Sequence, residues 1–184
     1  MIVSFLNLDV YLTDLINWLI PHNIFFNVLF SFFSAQGMAI IIWLLIGAVL
    51  IFLEEHKNKI FIIYLTVNLG LAYILSEVIL KNLMMRPRPY LVQELVSASC
   101  PLDFSFPSSH AATAFAAAAT LAFFDKKRRI LYYILAVLIS VSRIYLHCHY
   151  FFDAVFGALL GYFTSCLILR LKTYNIKTAV GKKT

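Results

Sequence analysis

Long apolar runs separated by short polar connectors dominate the pattern of this 184-residue chain. In chain order the runs cover residues 27–53, 60–80, 108–124, 130–147 and 151–171. Each is close to the roughly 20 apolar residues that a helix needs to cross a bilayer, whereas the strands of a membrane barrel alternate over about 10 residues. The pattern therefore predicts an all-α, polytopic bundle of transmembrane helices with at least five spans.

The first 20 residues are predicted to form an N-terminal amphipathic helix. Asn7, Asp14 and Asn17 fall on one helical stripe, and Asp9 and Thr13 lie nearby. A polar stripe on an otherwise apolar helix is typical of a segment that lies in the membrane interface. The alternative is a further span, so the prediction is five or six spans in total.

The composition agrees with an integral membrane protein. Of all residues, 62% are hydrophobic and only 13% are charged, which differs strongly from a soluble domain. Spans and connectors use nearly the whole chain, so we expect a single domain over 1–184, with a leader at 1–20, a helix bundle at 27–171 and a tail at 172–184. The N-terminal end carries no basic residue before the first apolar run, so no removable signal peptide is expected.

The three cysteines have no paired spacing and no histidine in a ligand pattern. This usage indicates neither a disulfide framework nor a zinc site, and a packing role is expected. A disulfide between Cys100 and Cys148 stays open, because both residues lie near the same predicted membrane face.

Basic residues predict the orientation in the membrane. Eleven of the 15 lie in alternate connectors and the tail: Lys57, Lys59, Lys126, Lys127, Arg128, Arg129, Arg170, Lys172, Lys177, Lys182 and Lys183. Because basic connectors remain cytoplasmic, the tail is predicted to be cytoplasmic, with the protein in the plasma (inner) membrane. The segment 81–107 and the turn around His149 then face the non-cytoplasmic side. The remaining polar residues thus collect at one membrane face, which predicts a site there.

The first polar stretch, KNLMMRPRPY at 81–90, places three cations and two prolines after a span. The planar fork of arginine matches phosphate oxygens, and lysine adds a compact charge. Glu77 lies four residues before Lys81 and is expected to pair with it, whereas the role of Arg86 stays open. Basic helix ends near lipid headgroups are the alternative interpretation.

The second stretch, FPSSHAATAF, begins at Phe106. Pro107 and Ser108 predict a helix N-terminus, where free backbone N–H groups favour an anion. His110 then lies in the first turn, within reach of that anion. The alternative is a serine cap beside an incidental histidine.

The third stretch, SRIYLHCHYFFD, begins at Ser142. His149 and Asp153 are spaced i, i+4, so Asp153 is predicted to accept a hydrogen bond from one imidazole nitrogen and leave the other free for attack. This arrangement is typical of a nucleophilic histidine. His147 lacks the spacing and is expected to be a packing or helix-end residue.

Together, the three stretches resemble the signature of the type 2 phosphatidic acid phosphatase superfamily. Its parts here are Lys81, six residues, Arg88 and Pro89; then Pro107, Ser108, Ser109 and His110; then Ser142, Arg143, five residues, His149, three residues and Asp153. The apolar runs fit the membrane branch of the family rather than its soluble haloperoxidases. The family usually has glycine where this chain has Ser109.

The resemblance implies a role for each matched residue. His149 would attack phosphorus and form a phosphohistidine, Asp153 would orient it, and His110 would protonate the leaving oxygen and later activate water. The phosphate-binding residues would be Lys81, Arg88, Arg143, Ser108 and Ser109. Three cations would do what Mg²⁺ does elsewhere, so neither a metal nor another cofactor is expected.

The leading hypothesis is a metal-independent lipid phosphatase that removes a terminal phosphate from a bacterial-type envelope lipid in the bilayer. The candidate substrates are a polyprenyl diphosphate such as undecaprenyl diphosphate, the 1-phosphate of lipid A, phosphatidylglycerophosphate and phosphatidic acid. A phosphotransferase that passes the phosphoryl group to another lipid is an alternative, because access to the site selects the acceptor. A non-enzymatic bundle that binds or transports anionic lipids is another. No nucleic acid partner is expected.

Overall fold

The computed structural model describes residues 2–35, 37–52, 60–92 and 100–181. Within these ranges every regular element is helical, which confirms the predicted all-α class. The elements are α1 (Ile2–Leu19), α2 (Ile24–Ser34), α3 (Met38–Phe52), α4 (Ile60–Tyr73), a π-helix (Ile74–Leu80), α5 (Lys81–Met84), α6 (Pro89–Val92), α7 (Ser109–Phe124), α8 (Arg129–Tyr145) and α9 (Phe151–Gly181). The last helix extends ten residues beyond the predicted end of its span.

Helix α7 is the centre of the bundle. It packs against α4, α8 and α9, and its alanine-rich sequence is almost entirely buried. Because alanine side chains are small, the neighbouring helices approach the α7 backbone closely. This packing fixes the N-terminal end of α7, which carries Ser108, Ser109 and His110.

The crossing of α7 and α9 depends on two glycines spaced four residues apart. A Cβ on Gly161 would lie 1.9 Å from the carbonyl oxygen of Ala112, and a Cβ on Gly157 would lie 2.4 Å from that of Ser108. Both distances are far below contact distance. The two backbones therefore meet at positions where only glycine fits.

Gly161→Ala is expected to reduce the free energy of unfolding by an amount at the upper end of the about 1–3 kcal/mol typical of overpacking, since backbone must move to admit the methyl group. Gly70→Ala is the matched control, because nothing lies within 4 Å of a Cβ there. Denaturation of the detergent-solubilised variants measures both effects. Equal stability of the two variants would contradict the close crossing.

The predicted span at 27–53 is wrong as one continuous helix. Helix α2 ends at Ser34 and α3 begins at Met38, and between them Gly37 has φ 81°, a left-handed conformation that glycine adopts at little cost. Because a helix end frees its last carbonyl oxygens, the Ser34 carbonyl is available to another donor. Arg143 uses it, as described below.

Two helices, Ile60–Met84 and Phe151–Lys172, are long and apolar enough to cross a membrane. Shorter apolar helices occupy Ile24–Ser34, Ile40–Phe52 and Ser109–Phe124. The two long helices have the length and apolar composition that a membrane span needs. Four of the basic residues used to predict orientation, Lys57, Lys59, Lys182 and Lys183, lie outside the described residues.

The polar stripe of α1 differs from the predicted one. Asn7 and Asp14 are exposed, whereas Asp9, Thr13 and Asn17 are buried. The buried residues are spaced four apart, so they share one face of the helix. That face contacts protein, because all three side chains have partners in the rest of the bundle.

Candidate active site

The three polar stretches meet at a cavity of about 430 Å³ at one end of the bundle. Six of the eight predicted site residues line it: Lys81, Arg88, Ser109, His110, Arg143 and His149. The other two, Ser108 and Asp153, lie behind the lining and are fully buried. Tertiary packing therefore brings together residues that are distant in sequence, since Lys81 and His149 are 68 positions apart.

His149 lies in the turn between α8 and α9 and is buried. Its Nδ1 is 2.6 Å from the Ser105 carbonyl oxygen. Because a carbonyl oxygen only accepts hydrogen bonds, Nδ1 must carry the proton, which leaves the lone pair on Nε2. Nε2 therefore accepts a hydrogen bond from Nη1 of Arg88 at 3.2 Å. Burial and the charges of Arg88, Arg143 and Lys81 hold the pKa of His149 well below its ordinary value, so the nucleophilic form is present at neutral pH.

Asp153 does not make the predicted hydrogen bond to His149. Its Oδ2 lies 3.7 Å from Nδ1, which is too long for a hydrogen bond, and instead accepts one from the Tyr150 backbone N–H at 2.9 Å. The reason is local: α9 begins at Phe151, so His149 precedes the helix and the i, i+4 geometry does not apply. Ser105, which no motif indicated, supplies the acceptor for the imidazole.

The three predicted phosphate-binding cations are buried. Lys81 pairs with Glu77 at 2.8 Å, as the i, i+4 spacing predicted. Arg143 Nη1 donates to the Ser34 carbonyl at 2.8 Å and also contacts the Ser34 hydroxyl. Its Nε and Nη2 have no hydrogen-bond partner among the described residues. A buried guanidinium with two donors left over at a cavity is suited to bind an anion.

The N-terminus of α7 brings the second stretch into the cavity. Ser108 caps the helix, since its hydroxyl accepts from the Ala111 N–H at 3.4 Å and its own N–H donates to the Asp153 carbonyl at 2.9 Å. No hydrogen-bond partner of His110 Nε2 lies within the described ranges. The cavity lining therefore combines two imidazoles, those of His110 and His149, with the three cations.

A sequence profile of the PAP2 superfamily matches residues 61–177, more than half of the chain. The chain belongs to this superfamily. The family predicted from the three stretches is thereby confirmed, as is the class of enzyme, a membrane hydrolase that acts on lipid phosphates.

Two named PAP2 relatives are similar over most of their length. The chain is 31% identical over 150 residues to an undecaprenyl-diphosphatase of Sulfolobus acidocaldarius, which covers 80% of this chain and 71% of the relative. It is 30% identical over 142 residues to the bacitracin transport permease protein BcrC of Bacillus licheniformis, which covers 74% and 68%.

Solved structures agree with the helical architecture. The crystal structure of Aquifex aeolicus LpxE matches with a TM-score of 0.68 and 28% identity, covering 89% of this chain and 95% of that one. A transmembrane PAP2 type phosphatidylglycerolphosphate phosphatase from Bacillus subtilis matches with a TM-score of 0.70 over 93% and 87%. At 22% identity, the second match concerns the fold alone.

Asp103 is a cavity residue of this PAP2 chain that sequence reasoning missed. Its carboxylate pairs with Lys81 and, at 2.5 Å, with Nη2 of Arg88, while its carbonyl oxygen accepts from Arg88 Nε at 2.8 Å. Burial opposes ionisation, but hydrogen bonding with Glu77 and Lys81 and the nearby Arg88 charge hold the pKa of Asp103 below its usual range. The signal in the sequence was slight, since Asp103 is one of two acidic residues between 81 and 107.

A disulfide joins Cys100 to Cys148, with Cα atoms 5.3 Å apart. The packing role expected for these two cysteines is therefore wrong, and the alternative that the sequence left open is correct. Cys166 is a free, half-buried cysteine. The disulfide ties the segment that carries Asp103 directly to the turn that carries His149.

Arg86 is a second residue whose role the motifs did not assign. Its Nη1 lies 2.6 Å from Oδ1 of Asp153, and its Nη2 lies 2.7 Å from Oδ2 of Asp9 in α1. Its guanidinium also lies 3.9 Å from the ring centre of Tyr150. Arg86 thus joins three segments behind the His149 turn.

The buried face of α1 completes this contact. Asp9 Oδ1 accepts from the Phe152 N–H at 2.8 Å and the Thr13 hydroxyl accepts from the Phe151 N–H at 2.9 Å, which satisfies two free donors at the start of α9. Asn17 donates to the Ile144 carbonyl at 3.2 Å, at the end of α8. The polar face of α1 therefore holds both ends of the turn that carries His149.

Proposed function

We propose that this PAP2 enzyme hydrolyses the terminal phosphate of a polyprenyl diphosphate, without a metal ion, through a phosphohistidine on His149. One observation carries the proposal: the Nε2 lone pair of His149 lies at a cavity whose other walls hold buried Lys81, Arg88 and Arg143. A neutral imidazole facing fixed positive charge is suited to attack phosphorus.

In the first step, the bound phosphate takes over the Arg88 Nη1 donor, Nε2 attacks phosphorus, the bond to the leaving lipid oxygen breaks, and the imidazolium form of His110 donates a proton to that oxygen. In the second, His110 takes a proton from water, whose oxygen attacks phosphorus and releases inorganic phosphate while Nε2 regains its lone pair. The hydrogen bond from Nδ1 to the Ser105 carbonyl stabilises the positive imidazole of the intermediate. Asp153 does not contact the phosphate and instead positions the residues around it. Its carboxylate accepts from the Tyr150 N–H and from Arg86, and its backbone carbonyl accepts from the Ser108 N–H.

Charge on the transferring phosphoryl group is met by residues of the chain itself. Arg143 offers Nε and Nη2, while Lys81 lies at the start of α5 and Arg88 in the turn between α5 and α6. Ser109 lines the same wall, and the Ser108 cap holds the α7 N-terminus in place. Three fixed cations provide the electrostatic stabilisation that Mg²⁺ provides in other phosphoryl-transfer enzymes.

The preference for a diphosphate rests on similarity and on the cavity. The relative from Sulfolobus acidocaldarius is named an undecaprenyl-diphosphatase and is similar over 80% of this chain. The cavity walls beyond the cations include the apolar side chains of Ile40, Tyr73 and Leu102, which suit a lipid chain next to its phosphate. Lipid A 1-phosphate, phosphatidylglycerophosphate and phosphatidic acid are the competing substrates.

The proposal places the site on the non-cytoplasmic face of the plasma membrane. The Cys100–Cys148 disulfide at the cavity supports this side, because disulfides persist in oxidising compartments. Lys126, Lys127 and Arg128 lie between α7 and α8, and Arg129 begins α8, at the other end of α7 from His110. A reporter enzyme that works only outside the cytoplasm, fused to the C-terminus, is expected to stay inactive, and an active reporter would contradict this orientation.

Five spans are proposed, with α2 and α3 together forming the first, broken one. Helix α1 is proposed to lie along the membrane interface. Its contacts from Asp9 to Asn17 extend about 12 Å along the helix at 1.5 Å per residue, yet all reach the same turn region between Ile144 and Phe152. A helix running beside α8 or α9 would contact successive turns of its neighbour instead.

The test is release of phosphate from four detergent-solubilised lipids: undecaprenyl diphosphate, lipid A, phosphatidylglycerophosphate and phosphatidic acid. Undecaprenyl diphosphate is expected to react fastest, and a chelator such as EDTA is expected to leave the rate unchanged. In mixed lipids, one free phosphate per product is expected, whereas phosphate found on a second lipid would favour a phosphotransferase. A rate lost with the chelator, or a higher rate with another lipid, would contradict the proposal.

The name of BcrC, a transport permease protein, suggests a second candidate, a bundle that transports an anionic lipid. The cations alone would serve that role. It leaves the buried His149 with a defined lone pair without a task, so phosphate release by the purified protein separates the two functions.

A further inference from the structure

Two of the three cations at the cavity already have an anionic partner within the chain. The Asp103 carboxylate contacts both Lys81 and Arg88, while Nε and Nη2 of Arg143 have no hydrogen-bond partner within the part of the chain that the structure describes. Any phosphate that uses all three cations must compete with this carboxylate for the donors of Lys81 and Arg88. Asp103 therefore stands where one edge of a bound phosphate would be.

The two sides of this contact differ in their freedom to move. Lys81 and Arg88 are 3% and 0% exposed, and Arg88 is also held by the Cys148 carbonyl at 2.7 Å. The Asp103 side chain is 33% exposed and lies within residues 100–108, a stretch without regular secondary structure that precedes α7. Rotation of Asp103 toward water costs less than movement of either cation, because a solvated carboxylate keeps its hydrogen bonds.

The segment itself has fixed ends close to Asp103. On one side, the Cys100–Cys148 disulfide ties it to the His149 turn. On the other, the Ser105 N–H donates to the Arg86 carbonyl at 2.8 Å, and the Ser105 carbonyl accepts from His149. These ties keep the carboxylate next to the cations, at a high effective concentration, after it rotates away.

We propose that Asp103 is a built-in competitor of phosphate, which leaves the cations when the substrate binds and returns to them when phosphate departs. This inference rests on the proposed function, because it needs a phosphate at the same cations. The return of Asp103 weakens the hold of Lys81 and Arg88, two of the three buried cations, on inorganic phosphate. The device thus favours release of the product over its retention.

The test is direct binding of inorganic phosphate, measured by calorimetric titration of the full-length protein in detergent. Asp103→Asn keeps the shape but removes the competing charge, so the dissociation constant is expected to fall by about tenfold or more. Asp103→Ser should change it in the same direction, whereas Asp103→Glu keeps the charge and is expected to bind phosphate as weakly as the wild type.

The matched control is Asp125→Asn. Asp125 pairs with Arg128 at 2.9 Å and accepts from the Tyr132 hydroxyl at 2.6 Å, at the other end of α7. The Asp125→Asn variant loses a carboxylate that, like Asp103, pairs with an arginine, and it is expected to bind phosphate as tightly as the wild type does. Melting temperatures measure whether each variant is folded. If Asp103→Asn is unstable, phosphate binding by Asp103→Ser tests the role of Asp103 instead.

Unchanged or weaker phosphate binding by the folded asparagine and serine variants would overturn the role of Asp103. The proposed function would fail in a different experiment: the wild-type protein would not hydrolyse any of the lipids. The titration needs no turnover, so it decides the role of Asp103 in either case. In the hydrolysis assay, stronger inhibition of Asp103→Asn by added phosphate is a second expected result.

Discussion

His149→Ala is expected to lower phosphate release from every lipid substrate by about 10⁴-fold or more, the scale of loss when a covalent nucleophile is removed. The reason is that Nε2 of His149 carries the lone pair that attacks phosphorus, beside Arg88 in a cavity lined by the three cations. Initial rates of phosphate release by purified wild type and variant measure the effect.

His147→Asn is the matched control for this experiment. His147 is a half-buried histidine in the same turn, and its φ of 54° is a left-handed conformation that asparagine tolerates. It does not line the cavity, so the variant is expected to keep most of the wild-type rate. Full turnover by folded His149→Ala, or equal losses in the two variants, would contradict the assignment of the nucleophile.

Arg86→Gln is expected to reduce the free energy of unfolding by about 3–5 kcal/mol, the usual cost of removing one partner from a buried charge group. Asp9 and Asp153 are both fully buried, and the substitution would leave two carboxylates close together without their shared cation. The His149 turn is expected to loosen as well, because Asp153 and α1 hold it from behind. Chemical denaturation and the maximal rate of hydrolysis measure the two effects.

A double-mutant cycle with Asp9→Asn sharpens this prediction. The single variant Asp9→Asn keeps the contact between Arg86 and Asp153. In the double variant, the Asp9→Asn substitution removes one of the two buried carboxylates that Arg86→Gln leaves without a cation. The double variant is therefore expected to be more stable than Arg86→Gln alone, which purely additive losses would contradict.

Arg128→Gln is the matched control for the arginine substitution. The Arg128 side chain is 29% exposed and pairs with Asp125 three residues away, so its removal is expected to cost less than about 1 kcal/mol. Equal losses in the free energy of unfolding for Arg86→Gln and Arg128→Gln would mean that the buried contact between α1, Arg86 and Asp153 stabilises the fold no more than an exposed ion pair does.

The sequence predicted the residues of the site better than their contacts. Six of the predicted residues line one cavity: Lys81, Arg88, Ser109, His110, Arg143 and His149. Basic connectors and span lengths predict that the segments carrying these residues share a membrane face. The contact between His149 and Asp153 was predicted from helical spacing, and it differs because the helix begins two residues after His149. Where a helix starts depends on its capping partners, and Asp9 and Thr13 are more than 130 positions away.

The polar stripe of α1 and the break at Gly37 follow the same rule. Periodicity indicated that α1 has a polar side, but the partners that bury Asp9, Thr13 and Asn17 come from α8, α9 and the region of Arg86. Apolar composition made 27–53 look continuous, whereas the structure ends α2 at Ser34 and gives that carbonyl to Arg143. Both features depend on donors and acceptors from distant parts of the chain.

By itself, the sequence of this PAP2 protein determined its helical class, through the length of its apolar runs, and its family, through the resemblance of three motifs, whereas the membrane face of the site stays a prediction from the basic connectors. Only the tertiary structure decided that Ser105 rather than Asp153 accepts from His149, that Arg86 joins α1 to α9, and that Asp103 pairs with two of the predicted phosphate-binding cations. The physical reason is that buried charges and free backbone groups take whichever partner the packing of distant segments brings within hydrogen-bond distance.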